Sequence, residues 1–199
     1  MDARDDLREA LSGHQERSRR EDDEVERRRA ALAEAQRQYE EEEREVFAYL
    51  RDLADTAVAA LAQSTETKRL PITPPLEGLG RVLRRRQYVD GWKVVLGNYG
   101  ERILCPDGTL IIPAAPFYRS DPDYSTLRAW IDHHRHELHQ GRHTESVRPQ
   151  TPWGKAFSMT TPCDDRAAAQ RTMWARLQSL KESVTDQLAS ILHQHDASI

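Results

Sequence analysis

Apolar positions along the chain follow two patterns. Over residues 1–64 they are sparse and helical. Leu11, Ser18, Val25, Leu32, Tyr39, Val46, Leu53 and Ala60 stand at strict seven-residue spacing. The companion stripe is poor: Leu7, His14, Glu21, Arg28, Ala35, Glu42, Tyr49 and Thr56. A stable coiled coil wants both stripes apolar, so the pattern predicts a weak coiled coil or a solitary helix. From Val46 the face thickens to Val46, Leu50, Leu53, Ala57 and Leu61, enough to dock on a core. One helix over residues 1–64 would be about 95 Å long. The remaining residues make a far shorter body, so the expectation is that the helix projects from it or pairs with another chain.

After residue 64 the pattern changes. The stretch 64–75, STETKRLPITPP, carries three prolines and predicts an extended linker, taken to run over 65–80. Residues 76–86 fit a short helix, or a strand over 82–89. Three β-rich runs follow at 92–96, 101–105 and 109–112, separated by GNYG and PDG turns. They predict a three-stranded antiparallel meander that needs a helix on one face. Asp121 and Pro122 suit the start of a helix that Gly141 ends, with Leu127, Trp130, Ile131, His134 and Leu138 on one side. Residues 141–160 read as a long loop packed through Trp153, Phe157 and Met159. Thr161, Pro162 and Asp164 then open a last helix, 162–195, with Thr161 as its cap. The four tryptophans, one per element after residue 90, suggest a single core. The predicted class is mostly helical α+β: a long charged helix, a linker, and a small body over 81–199.

Charge sharpens the first element. The chain is 31 % charged, yet residues 12–45 alone hold 20 of its 62 charged residues. Their density is more than twice that of an ordinary domain. Acid-first pairs at i,i+4 recur at Glu16–Arg20, Asp23–Arg27, Glu24–Arg28 and Glu40–Arg44, each adding about 0.2–0.5 kcal/mol to a helix. Three readings fit: a helix for self-association or partner docking, a solvated spacer, and a disordered charged segment. The interface candidates are Leu11, Val25, Leu32, Tyr39 and Val46.

Two patches offer other chemistry. Arg84, Arg85, Arg86, Lys93 and Arg102, interleaved with Tyr88, Trp92 and Tyr99, suit single-stranded nucleic acid through phosphate contacts and stacking. A protein contact or a solvated face fits them too. Against nucleic acid, residues 1–64 carry 11 basic and 18 acidic groups. His133, His136, His139 and Glu137 stand at helical spacings that suit a shared metal ion, although the string is not HExxH. The alternatives are a His-rich polar face with His134 half buried, and a pH-sensitive surface. Cys105 and Cys163 make no disulfide framework, and there is no P-loop, no GxSxG elbow and no complete dinucleotide loop.

No apolar run reaches the length of a membrane span, and the opening MDARDDLREA is unlike a signal peptide. These patterns lead to the expectation of a cytoplasmic, non-enzymatic interaction or assembly protein. It forms a homo-oligomer or docks a protein partner, and it needs no cofactor. The alternatives are nucleic-acid binding and a metal-dependent enzyme.

Overall fold

The computed structural model describes residues 3–72, 87–97, 100–113, 125–138 and 152–197, with side chains from residue 8 onward except at Gln87. The elements are α1 (Ala3–Ser64), β1 (Lys68–Ile72), β2 (Gln87–Val95), β3 (Glu101–Leu104), β4 (Leu110–Ile111), α2 (Leu127–Leu138), α3 (Pro152–Ala156) and α4 (Cys163–Gln194). The mostly helical α+β class read from the sequence is the class observed. The chain divides into two compact units. The first holds residues 1–42 and 141–174; the second holds 43–140 and 175–199.

α1 runs unbroken for 62 residues. Its sequence contains no proline, and Gly13 is its only glycine, so nothing interrupts the backbone ladder. It ends where the Thr65 amide bonds the Leu61 carbonyl and the Ser64 hydroxyl turns back onto the Ala60 carbonyl.

The second unit contains a four-stranded antiparallel sheet in the order β1-β2-β3-β4. The expected meander corresponds to β2–β4. The sheet gains one strand at Lys68–Ile72, inside the stretch expected to be linker. This strand pairs Lys68 with Gly91 and Ile72 with Gln87. Pro71 is tolerated because β1 lies at the sheet edge, where a missing donor costs no interior ladder bond. β2 pairs with β1 as far as Gly91 and with β3 from Trp92. A Cβ at Gly91 would meet the Leu104 carbonyl oxygen at 2.7 Å and Ile103 Cγ2 at 2.8 Å, so only glycine fits there. The question of helix or strand at 76–86 falls outside the described residues, although β2 already runs at Gln87. The turn after β3 follows the PDG signal. The Gly108 amide bonds the Cys105 carbonyl, and Gly108 takes φ 80°, the left-handed position such hairpins require.

α2 starts later than expected. Asp121 and Pro122 lie outside the described residues, and Thr126 does the capping: its Oγ1 accepts the Ala129 amide at 3.0 Å. The predicted inward face holds, with Leu127, Trp130, Ile131 and His134 buried. α4 matches its predicted bounds closely, but its cap does not. Thr161 is buried and its Oγ1 has no hydrogen-bond partner among the described residues. The first turn relies instead on Asp164 and Asp165, whose charges suit a helix N-terminus. At the other end Ala197 N bonds Leu192 O and Asp196 N bonds His193 O, with Asp196 at φ 51°. That is a Schellman-type stop built on aspartate instead of glycine.

The tryptophans divide instead of sharing one core. In the second unit Trp92 and Trp130 are buried with Phe47, Leu50, Leu61, Leu104, Leu188 and Ile191. In the first unit Tyr39 is the centre of an aromatic cluster. Its ring lies 5.4 Å from Trp153, 6.1 Å from Phe157 and 5.0 Å from Trp174. The loop expected at 141–160 contains α3, which carries Trp153.

Candidate interaction surface

The five stripe residues nominated from the sequence have different fates. Leu32, Tyr39 and Val46 are buried within the chain at 7 %, 1 % and 5 % exposure. They are unavailable to a partner as the chain stands. Leu11 and Val25 are 56 % and 44 % exposed. Every residue over 8–31 is exposed except Gly13, which is intermediate. Local contacts hold this stretch: Glu24 with Arg28 across one turn, Arg20 with Glu16 at 4.0 Å, and Arg17 Nε on the Gly13 carbonyl at 3.1 Å. Such exposed pairs contribute little individually.

The buried part of α1 shows what covers the stripe. In the first unit Trp174 of α4 packs on Tyr39 and donates its Nε1–H to Glu42 Oε2. In the second, Lys181 Nζ lies 4.9 Å from the Tyr49 ring centroid, and Thr65 Oγ1 donates to the His195 carbonyl at 3.1 Å. Within the second unit rising numbers on α4 meet rising numbers on α1, so the two helices run parallel there. The far end is fastened twice more. Trp92 Nε1 donates to the Thr65 carbonyl at 3.3 Å, and His195 Nε2 donates to the Lys93 carbonyl at 3.0 Å.

α2 meets α1 through a charge seam that sequence reading missed. Arg135 Nε donates to Glu43 Oε1 at 2.7 Å, Arg51 Nε to Asp132 Oδ1 at 3.1 Å, and Arg128 Nε to Asp55 Oδ1 at 2.9 Å. The signs alternate along both helices, and falling numbers on α2 meet rising numbers on α1. The Arg128 hydrogen bond, with its charge, holds the Asp55 carboxyl below its ordinary range. Glu43 is 1 % exposed, and Arg135 sets an opposite charge against it. The available signal was the opposite sign order of 43, 51, 55 and 128, 132, 135. Each charge alone looks like solvated surface.

The basic patch is smaller than expected. Arg102 is buried, with Nη1 on the Glu101 carbonyl at 3.0 Å, so it is withdrawn from any phosphate. Lys93 pairs with Glu101 at 2.7 Å. Arg84, Arg85 and Arg86 lie outside the described residues. One aromatic is used differently: Arg69 of β1 sits 5.1 Å over the exposed Tyr88 ring.

The histidine cluster is drawn into α2. His133 Nε2 and His134 Nδ1 both reach Glu137, at 3.3 Å and 3.1 Å. His134 is buried and stands edge-on to Trp130 at 4.9 Å. Burial pushes its pKa down, opposed by its hydrogen bond to Glu137. His136 is exposed and His139 lies outside the described residues. Among the described residues no group of three His, Cys, Asp or Glu side chains is placed to hold a metal ion. Cys105 is buried, which raises its thiol pKa, and Cys163 is exposed on the first turn of α4.

Among the described residues no helix is long and apolar enough to cross a membrane. No protein-family model, no curated protein and no solved structure matches this chain.

Proposed function

We propose that this chain is a non-enzymatic interaction or assembly protein, acting in the cytoplasm and engaging its partner through residues 8–31 of α1. The observation that supports this is the exposure of that stretch. Twenty-four consecutive helical residues leave Leu11 and Val25 in solvent on the same stripe whose Leu32, Tyr39 and Val46 are buried. A helix with so little packing draws most of its stability from elsewhere. Such a segment gains by being covered. The buried stretch behind it supplies the support: Tyr39, Phe47 and Leu50 fix the helix that carries the exposed turns.

The test is binding by the full chain and by variants with unchanged circular dichroism. The natural partner is recovered from the native host with tagged wild type, then titrated against Leu11→Glu and Val25→Glu. The expected result is at least tenfold weaker binding by each. Unchanged binding by the double variant would refute the use of this surface.

A further inference from the structure

We propose that Pro71 keeps the open edge of the sheet from adding a further strand, whether from a second copy or from another protein. This goes beyond the interaction reading above and does not depend on it.

The sheet has two edges, and the chain itself closes one of them. At β4 the Leu110 amide donates to the Ser125 carbonyl at 3.0 Å, and Thr109 bridges Thr126. β1 is the other edge. Its Lys68, Arg69 and Pro71 are exposed. Among the described residues no backbone group outside β2 bonds this strand. An edge of that kind is a template for another strand.

The pairing fixes which backbone groups face outward. Residue pairs along an antiparallel ladder alternate between those that exchange both bonds and those that exchange none. The β1–β2 ladder is unbroken from Lys68 opposite Gly91 to Ile72 opposite Gln87, with Pro71 opposite Tyr88. Proline has no N–H, so Pro71 and Tyr88 form a pair of the second kind. Lys68, Leu70 and Ile72 therefore bond β2, and Arg69 and Pro71 turn their backbone groups outward. The open side offers the Arg69 N–H and the carbonyls of Arg69 and Pro71. Where the next N–H belongs, the proline ring presents Cδ.

An incoming antiparallel strand must meet these outward groups with its own. Two copies of β1 about a two-fold axis could set Arg69 against Arg69, Arg69 against Pro71, or Pro71 against Pro71. The first places like charges opposite each other, which opposes pairing. The second forfeits two of its four bonds, and the third forfeits both bonds at its centre. A strand from any other protein meets the same Cδ. Arg69 reinforces the block. Its guanidinium lies 5.1 Å from the centroid of the exposed Tyr88 ring, which holds a positive charge beside the edge.

The experiment compares the full wild-type chain with Pro71→Val, and with Pro71→Val combined with Arg69→Pro. Position 69 is the other outward site, so proline there spares the bonds to β2 and blocks the edge again. Sedimentation equilibrium reads association, and amide hydrogen exchange reads the strand. In wild type the Leu70 and Ile72 amides should exchange slowly and the Arg69 amide fast. Pro71→Val should associate at least about tenfold more tightly, through two backbone bonds added per pair of copies. Its Arg69 amide should become protected. The combined variant should return to wild-type association. A slow Arg69 amide in wild type would mean that the edge is already covered, and would overturn the inference. Unchanged association of Pro71→Val would overturn it as well. So would association that survives in the combined variant, since the added side chain and not the N–H would then be its cause. Should Pro71→Val precipitate, soluble combined variant supports the inference and equal precipitation overturns it.

Discussion

Residues 8–31 and 43–61 belong to one helix and keep one heptad stripe, yet they are built differently. In the first stretch 14 of 24 residues are charged, and Leu11 and Val25 are the only large apolar side chains. In the second, 6 of 19 are charged, and Val46, Phe47, Tyr49, Leu50, Leu53, Val58 and Leu61 crowd the stripe and its flanks. Charges in the first stretch find partners one turn away. In the second, Glu43, Arg51 and Asp55 find partners on α2, 73 to 92 residues distant. Stripe spacing therefore sets which side of a helix will be covered. The density of apolar groups around it sets whether the chain covers that side itself.

Four measurements would break or sharpen this contrast. Leu50 is fully buried, so Leu50→Ala should cost about 2–5 kcal/mol in chemical denaturation. Leu11→Ala, at an exposed site, should stay within roughly 0.5 kcal/mol. Equal losses would erase the distinction between the two stretches.

Next in size is Glu43→Ala, which removes a buried carboxylate from a half-exposed arginine. A loss of about 1–3 kcal/mol is expected. Combining it with Arg135→Met in a double-mutant cycle should show positive coupling. Additive losses would mean that the seam's buried end is only packing.

The third test uses pH. His134 has its folded pKa lowered below 6.5 by burial. Its neutral form is the one that fits, so its contribution is complete above the unfolded value near 6.5 and is lost as pH falls toward the folded value. Melting temperature of wild type should fall from pH 7.5 to pH 5.5 more steeply than that of His134→Gln. Parallel curves would place the titration elsewhere.

The smallest effect is expected where exposure is greatest. Breaking the Glu24–Arg28 pair with Arg28→Ala should change stability by only about 0.3–0.5 kcal/mol. Helicity by circular dichroism should show a slight loss that high salt abolishes. A loss above about 1 kcal/mol would give that pair a role its exposure does not explain.

Much of the fold was legible because it was local. The span of α1 follows from absent prolines and repeated pairs, α4 from a sustained period of apolar residues, and the buried face of α2 from Leu127, Trp130, Ile131 and His134. β1 was hidden because a proline-rich edge strand looks like a linker until its partner is known. The candidate surface was half legible. The stripe itself could be read, but the cover of Tyr39 comes from Trp153, Phe157 and Trp174, more than 100 residues later. Arg102 looked like part of a basic patch for the same reason: nothing in a strand's sequence says which side meets the core.

The parallel course of α1 and α4 also orders events in time. Contacts such as Glu42 with Trp174 and Thr65 with His195 join residues 132 and 130 positions apart. α1 is synthesised before α4 and therefore waits for it. Until residues 163–195 emerge, Tyr39 and Tyr49 lack Trp174 and Lys181, and a nascent chain exposes that part of the apolar stripe of α1. Contacts of such separation slow folding and prolong the interval in which aggregation competes. Loss of α4 should thus endanger α1 first, and translation speed across the codons for Cys163–Gln194 becomes a determinant of yield.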